Sequence, residues 1–290
     1  MDSAPVSRRA FLAGGAGIAL AAATAGATAG SAAALLPAKN TAISPLVLSS
    51  DLHASADPQR FVFAIARGSR YASFGPAQVA FAAPGTNEGT ILDTSLYKEG
   101  LPKGRGIYVV EATFPTAGFW KAQALLPDAQ GKRVPFAVTV KPSAEAPLPG
   151  APAPRAASPT AAVPLGVNPI CTRTPACPLH DVSLSEVIGN GKPAAVMFAT
   201  PALCTSQYCG PVLDELLDMM GPYRDRGVQM VHVEIWDSTK GATPSPTVTA
   251  WNLPSEPWLF TIGADGVIRE RLDGAMATNE IQAALDRLVA

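Results

Sequence analysis

The chain is poor in charge and in the residue types that most often act as nucleophiles or metal ligands. Charged residues make up 16% of its 290 positions, and 22 Lys and Arg against 23 Asp and Glu leave a formal charge of −1. Because nucleic-acid binding usually needs a basic face, this balance argues against nucleic acid as a partner. Only four cysteines and three histidines occur, so their positions limit the chemistry that the chain can perform.

The composition is not that of a disordered protein. Hydrophobic residues make up 48% of the chain, which is enough to form packed cores. The 25 glycines and 28 prolines exceed average usage, so we expect part of the length in turns and linkers. At about 100–200 residues per domain, the length predicts two domains.

Residues 1–34 have the layout of an export signal. Arg8 and Arg9 stand directly before Ala10-Phe11-Leu12, and the residues up to 35 are mostly small and apolar. The pattern resembles the twin-arginine signal, which implies a protein that is periplasmic, attached to the cell envelope or secreted. A membrane anchor is the alternative. An anchor is disfavoured because Ala and Gly are poor membrane formers. The rest of the sequence has no second apolar run of about 18 residues, so we expect no membrane span after signal removal.

A Pro/Ala-rich tract divides the rest of the chain. Residues 142–165 show no apolar period, and their prolines favour extended polyproline II segments. We interpret the tract as a semi-rigid linker between a domain at 40–141 and a domain at 166–290. Both flanking regions are long enough to hold a core of their own.

The region 40–141 is predicted to be all-β. Runs rich in β-branched and aromatic residues are separated by turn clusters, which indicates a β-sandwich. The predicted strands are Leu46–Leu48, Arg60–Ala66, Ala77–Ala82, Gly106–Phe114, Gly118–Leu125 and Val134–Lys141. The segment 116–122, TAGFWKA, resembles the closing strands of immunoglobulin-like domains on exported bacterial proteins. With no cysteine and only His53 at 36–141, we expect a structural or docking module without a site of its own.

The region 166–290 is predicted to be α/β. An apolar strand at 192–199 precedes Cys204 and Cys209, and a helix follows at 211–220. A second strand lies at 228–236, and strands at 258–262 and 267–272 flank the turn Ala264-Asp265-Gly266. A last helix is expected from Thr278. The order strand, helix, strand, hairpin, helix predicts a sheet with parallel and antiparallel pairing.

Residues 190–290 resemble the thioredoxin-like family. The strand ending Phe198-Ala199, the two cysteines and the helix from Pro211 look like the family's active-site strand, cysteine turn and first long helix. Pro257, before the hairpin, matches the proline, usually cis, that lines the family's peptide groove. The resemblance to thioredoxins implies that Cys204 attacks a partner disulfide and that Cys209 resolves the mixed disulfide. Pro201, Thr205 and Cys209 also partly match the peroxiredoxin pattern, which would make Cys209 the attacking residue. Thioredoxins, however, separate their cysteines by two residues, whereas four residues lie between these two.

The spacing of Cys204 and Cys209 requires an irregular turn. Five residues of α-helix advance about 7.5 Å and about 500° around the axis, which would point the two thiols apart. A disulfide needs Cα atoms within about 6.8 Å. Pro211 favours a helix start near these residues, where unsatisfied amides and the helix dipole stabilise a thiolate. Redox activity, a structural disulfide and metal binding all remain open for the pair.

The other two cysteines, Cys171 and Cys177, are predicted to form a structural disulfide. They lie just before the core strand, and static disulfides are common in exported domains, although four cysteines allow three connectivities. Thiolates and imidazoles suit Cu(I) or zinc, so His180 and His232 are candidate ligands. No spacing matches a zinc signature, and the sequence therefore predicts no metal site and no cofactor.

Together these patterns predict a multidomain protein, an immunoglobulin-like β-sandwich followed by a thioredoxin-like α/β domain. The predicted function is an exported thiol–disulfide oxidoreductase or redox-linked chaperone that uses Cys204 and Cys209 on protein thiols or disulfides outside the cytoplasm. One alternative resembles the Sco-type copper chaperones and would bind copper through Cys204, Cys209 and His232. The other is a non-catalytic scaffold whose disulfides are all structural.

Overall fold

The strands of the chain build two antiparallel sheets and then one mixed sheet. The computed structural model describes residues 42–204, 206–241 and 243–290. The export signal predicted for residues 1–34 lies outside this part of the chain. Within the described ranges, no helix is long and apolar enough to cross a membrane.

The N-terminal half consists of two antiparallel sheets that share one apolar core. Their strands are β1 (Ile43–Val47), β2 (Ser55–Arg67), β3 (Arg70–Ala72), β4 (Gln78–Ala82), β5 (Gly89–Asp93), β6 (Ser95–Tyr97), β7 (Ile107–Phe114), β8 (Gly118–Leu126) and β9 (Lys132–Val140). The sheet orders are β1-β2-β7-β6, with β3 paired to β2, and β5-β4-β8-β9. The likeness of this half to immunoglobulin-like domains stays a prediction.

Three strands of this half were not predicted. β3, β5 and β6 are short and partly or fully exposed, so they show no alternating apolar pattern. In β2, the residues from Phe61 to Ala66 are all buried rather than alternately buried. The reason is that β2 is covered on both faces, since Phe61 and Phe63 pack in the core between the sheets while Val62 packs in a core of the C-terminal half.

The C-terminal half is an α/β unit with a four-stranded mixed sheet. Its strands are β10 (Ala194–Ala199), β11 (Gln229–Glu234), β12 (Trp258–Ile262) and β13 (Ile268–Asp273), and its helices are α1 (Leu184–Val187), α2 (Cys209–Asp225), α3 (Pro246–Ala250) and α4 (Thr278–Leu288). The strand order is β11-β10-β12-β13. β10 runs parallel to β11 and antiparallel to β12, which pairs antiparallel with β13. The expected mixture of pairing is confirmed.

Helices cover both faces of this sheet. Residues of α2 and α4 pack on one face with Ala195 and Met197 of β10, while residues of α1 and α3 pack on the other face with Val196 and Phe198. β10 is therefore buried completely, as its continuous apolar run predicts. The helix after the cysteines begins two residues earlier and ends five residues later than predicted, so that Cys209 is its first residue.

The Pro/Ala tract is packed against the α/β unit and does not stand free of both halves. Main-chain hydrogen bonds join Gly150 and Ala151 to Ile268, and Ala153 to Gly266. Ala146 and Ala153 are buried in the core beside α1 and α3. An extended, proline-rich segment can lie along a sheet edge because it needs few of its own N–H groups in a ladder. The tract connects the two halves, and its surface packs against the α/β unit.

Buried ion pairs fasten the two halves together. The Asp51 carboxylate accepts hydrogen bonds from Arg271 at 2.8 Å and from Lys141 at 3.2 Å, and its side chain is 1% exposed. Arg60 of β2 donates to Glu280 of α4 at 2.7 Å, and its guanidinium also donates to the carbonyl of Asp273. Such pairs resist separation because the loss of one partner leaves a buried charge uncompensated.

Candidate functional site

Cys204 and Cys209 face each other across an irregular turn between β10 and α2. The N–H of Cys209, the first residue of α2, donates a hydrogen bond to Cys204 Sγ at 3.3 Å. Gln207 has a φ of 62°, which is outside the helical range and shapes the turn. Cys204 is partly exposed and Cys209 is buried. The geometry thus places a partly exposed cysteine beside a buried one.

The two thiols have opposite acidities. The hydrogen bond from the Cys209 thiol, with further hydrogen bonds from Ser206 and from main-chain amides, lowers the pKa of Cys204 to about 6. Burial raises the pKa of Cys209 well above its usual value, and the hydrogen bond to Cys204 adds to the effect. Cys204 is therefore the thiolate at neutral pH, whereas Cys209 keeps its proton. This difference in pKa distinguishes a cysteine that can act as a nucleophile from one that stays protonated.

The Glu256–Pro257 segment borders the same two sulfurs. The peptide bond between these residues is cis, and Pro257 directly precedes β12. A carboxylate oxygen of Glu256 lies within 4.8 Å of both Cys204 Sγ and Cys209 Sγ. The sequence placed Pro257 next to the cysteines by resemblance, and the structure brings its neighbour into the site.

The N-terminal half contributes two side chains to this site. Tyr71 of β3 donates its hydroxyl hydrogen bond to the carbonyl of Ser206 at 3.3 Å, and its ring meets the Tyr208 ring edge-on at 5.6 Å. The Arg105 guanidinium lies 4.5 Å from the Tyr71 ring centroid and 5.6 Å from that of Tyr208, and it also donates to Gln207. The sequence predicts no site in this half. The contribution of Tyr71 and Arg105 depends on packing between the two halves, which no local sequence pattern reveals.

A second cluster of sulfur and nitrogen atoms is formed by other residues of the same half. Cys171, Cys177, His180 and His232 are all buried, and their ligating atoms lie within 4.8 Å of one another. All four cysteines of the chain are free thiols in the structure. The Cys171–Cys177 disulfide stays a prediction, and His232, which the copper alternative placed with Cys204, belongs to this second cluster.

A cleft between the two halves is separate from both sulfur clusters. It has a volume of about 640 Å³ and is lined by Asp51, Arg60, Glu111, Asp273 and Glu280, among others, with no cysteine. Several of these charges pair with one another, Arg60 with Glu280 and with Asp273 in particular. Burial, the largest influence, raises the pKa of Glu111 above its usual value. The cleft is therefore a feature of the junction between halves and holds none of the thiol chemistry.

Comparison with known proteins finds partial alignments with solved structures at low identity. No protein-family model matches the chain. No curated protein matches it either. A solved structure described as a thiol:disulfide interchange protein DsbE from Chlorobium tepidum aligns with a TM-score of 0.37 and 16% identity, over 49% of this chain and 99% of that chain. A thioredoxin-like superfamily protein aligns with a TM-score of 0.28 and 14% identity, over 38% of this chain and 86% of that chain.

The order and direction of the strands define the class of the C-terminal half. The crossover helix α2 connects the parallel strands β10 and β11. The antiparallel hairpin of β12 and β13 is followed by α4. The cysteines stand at the carboxyl end of β10 and the cis-proline at the start of β12. This half therefore belongs to the α/β class, with the mixed strand pairing predicted from the sequence.

Proposed function

We propose that the chain is a thiol–disulfide oxidoreductase in which Cys204 is the attacking residue and Cys209 is the resolving residue. The observation that carries the proposal is the contrast between the two thiols. Cys204 is accessible with a pKa of about 6, and Cys209 is buried behind it with a raised pKa. A structural disulfide needs no such difference, whereas exchange needs one thiolate that partners can reach.

The exchange proceeds in two balanced steps. The Cys204 thiolate attacks one sulfur of a partner's disulfide, so that a Cys204–partner disulfide forms and the second partner sulfur leaves as a thiolate. Cys209 then loses its proton and attacks Cys204 Sγ, which releases the first partner sulfur as a thiolate. The partner is reduced by two electrons, and the chain ends with a Cys204–Cys209 disulfide. A dithiol reductant returns it to the starting state by the reverse steps.

Neighbouring groups support these steps. Ser206 and the first amides of α2 stabilise the Cys204 thiolate. Glu256 is placed to accept the proton of Cys209 in the second step, since its carboxylate lies within 4.8 Å of that sulfur. Pro257 would line the groove that holds a partner's peptide. Tyr71 and Arg105 form one wall of the approach to the sulfurs.

Disulfide trapping tests the proposal. We expect the full chain to accelerate the reduction of insulin by dithiothreitol, and we expect Cys204→Ser to abolish the acceleration. Cys209→Ser should accumulate a mixed disulfide between Cys204 and the substrate, visible by mass spectrometry. Arg269→Gln is the matched control, because it removes only an exposed ion pair with Asp265 and leaves all four cysteines in place.

A redox titration supplies the result that would overturn the proposal. A Cys204–Cys209 reduction potential below about −300 mV would mark a bond that cellular thiols leave intact. The same conclusion would follow if Cys209→Ser trapped no partner while remaining folded.

We also propose that the protein works outside the cytoplasm after twin-arginine export. The support is the Arg8-Arg9 pattern with its apolar continuation. Replacing both arginines by lysine should leave the precursor inside the cell, and normal export of that variant would contradict the assignment.

A further inference from the structure

Four potential ligands converge at one buried point that the proposed exchange does not use. Cys171, Cys177 and His180 come from the irregular segment before α1, and His232 comes from the middle of β11. Each residue is at most 6% exposed. Two thiols and two imidazoles in one closed pocket form a donor set that suits zinc.

The distances between the donor atoms match the edges of a metal-centred tetrahedron. With metal–sulfur bonds of about 2.3 Å and metal–nitrogen bonds of about 2.0–2.1 Å, those edges are roughly 3.6 Å for sulfur to nitrogen and roughly 3.4 Å for nitrogen to nitrogen. Cys177 Sγ lies 3.2 Å from His180 Nε2 and 3.3 Å from His232 Nδ1. Cys171 Sγ lies 3.7 Å from His232 Nδ1, and the two ring nitrogens are 3.1 Å apart.

Hydrogen bonding alone does not account for this convergence. His232 Nε2 lies 3.1 Å from the carbonyl oxygen of Ala199, which can only accept, so Nε2 carries the ring proton and Nδ1 has a lone pair. Three atoms, from Cys171, Cys177 and His180, surround that one lone pair. A single lone pair accepts one hydrogen bond well, whereas an ion at the common centre is reached by all four donors.

We propose that Cys171, Cys177, His180 and His232 form a zinc site. Binding deprotonates both thiols, so that two thiolates and one Zn²⁺ carry no net charge in the buried pocket, and two protons are released. The Ala199 carbonyl fixes the tautomer and orientation of His232, as second hydrogen bonds of ligating histidines commonly do. Four protein ligands leave no open position, so the ion has a structural role. This site takes the place of the Cys171–Cys177 disulfide predicted from sequence.

The contacts around the pocket indicate what the ion would stabilise. Residues 169–180 form no helix or strand, and bonds from three of them to one ion would tie this segment to β11 through His232. The Thr172 N–H donates to Glu234 at 2.8 Å, and Thr172 Oγ1 accepts from the N–H of Ala202 at 3.1 Å. Ala202 belongs to the turn that carries Cys204. The ion would therefore stabilise the segment that contacts the turn carrying Cys204.

Metal analysis of the full chain tests the proposal. We expect one zinc ion per chain after purification under reducing conditions and dialysis against a weak chelator. Cys177→Ser should lower the content to less than half an equivalent, because three ligands remain. The double variant Cys204→Ser, Cys209→Ser is the matched control, and it should retain its zinc because its missing sulfurs lie outside the pocket.

Cobalt substitution keeps the test valid if the ligand variants fail to fold. Unaltered protein refolded with Co²⁺ should show thiolate-to-cobalt charge-transfer bands and the absorption of a tetrahedral centre, and added Zn²⁺ should remove both. Absence of these bands together with sub-stoichiometric zinc would overturn the proposal. So would a Cys171–Cys177 disulfide found by peptide mapping, or stoichiometric Cu(I) in place of zinc.

Discussion

At the residue scale, the chemistry depends on how differently four cysteines are surrounded. Sequence resemblance predicts the pairing of Cys204 with Cys209, because these residues follow one another in a single strand–helix turn. It predicts the role of Pro257 from its position just before the hairpin. It did not predict Tyr71 and Arg105, which reach the turn from another half of the chain. The group around His232 was missed as well, since its members come from separate segments and their spacing, C-x5-C-x2-H followed 52 residues later by a histidine, matches no familiar zinc pattern.

The acidity of Cys204 gives a prediction at this scale. Alkylation of Cys204 by iodoacetamide should rise with pH around a midpoint near 6, because only the thiolate reacts. Ser206→Ala should move that midpoint upward, since it removes one hydrogen bond to the thiolate. Rates measured by mass spectrometry of the labelled peptide report this residue alone. An unchanged midpoint in Ser206→Ala would show that the hydroxyl does not stabilise the thiolate.

The same shift has a sign for stability. The pKa of Cys204 is lower in the folded chain than in the unfolded chain, so the unfolded chain binds more protons between pH 6 and 9. The contribution of this group to the free energy of unfolding is complete above the unfolded pKa and is lost as the pH falls toward 6. We expect Cys204→Ala to remove that part of the pH dependence in the reduced protein.

At the element scale, the sequence located the α/β strands well because they are continuous apolar runs. β12 has the predicted bounds, and β13 begins and ends one residue later than predicted. The short strands β3, β5 and β6 escaped prediction because exposed strands of three to five residues show no period. The packing between elements of different halves also left no local pattern.

Gly274, in the turn from β13 to α4, lies at a contact between the two halves, so its substitution tests that packing. Its φ is 69°, and a Cβ at this position would lie 2.3 Å from the carbonyl oxygen of Leu48 in the N-terminal half. Gly274→Ala should therefore lower the free energy of unfolding by more than the roughly 1–2 kcal/mol that a left-handed alanine costs. Gly191→Ala is the matched control, because Gly191 has a φ of 87° with no atom within 4 Å of the added carbon. Equal losses in urea unfolding would contradict the packing against Leu48.

At the scale of the whole molecule, the two halves are joined through buried charges. Asp51→Ala would leave Arg271 and Lys141 without their carboxylate, and we expect a loss of about 3–5 kcal/mol in the free energy of unfolding. Arg269→Gln, which breaks an exposed pair with Asp265, should have no measurable effect. Urea titrations of both variants compare them directly. A loss in Asp51→Ala no larger than that in Arg269→Gln would show that the Asp51 pairs do not hold the halves together.

The course of residues 142–165 beside β13 has a further consequence for behaviour in solution. A bare outer strand presents unpaired N–H and C=O groups, to which a strand of another molecule can add. Here Gly150 and Ala151 pair with Ile268, the first residue of β13, and Ala153 pairs with Gly266 in the turn before it. Many positions of the covering stretch are prolines, which have no N–H to extend the ladder outward. The chain itself therefore occupies the start of this sheet edge, where a strand of another molecule cannot add.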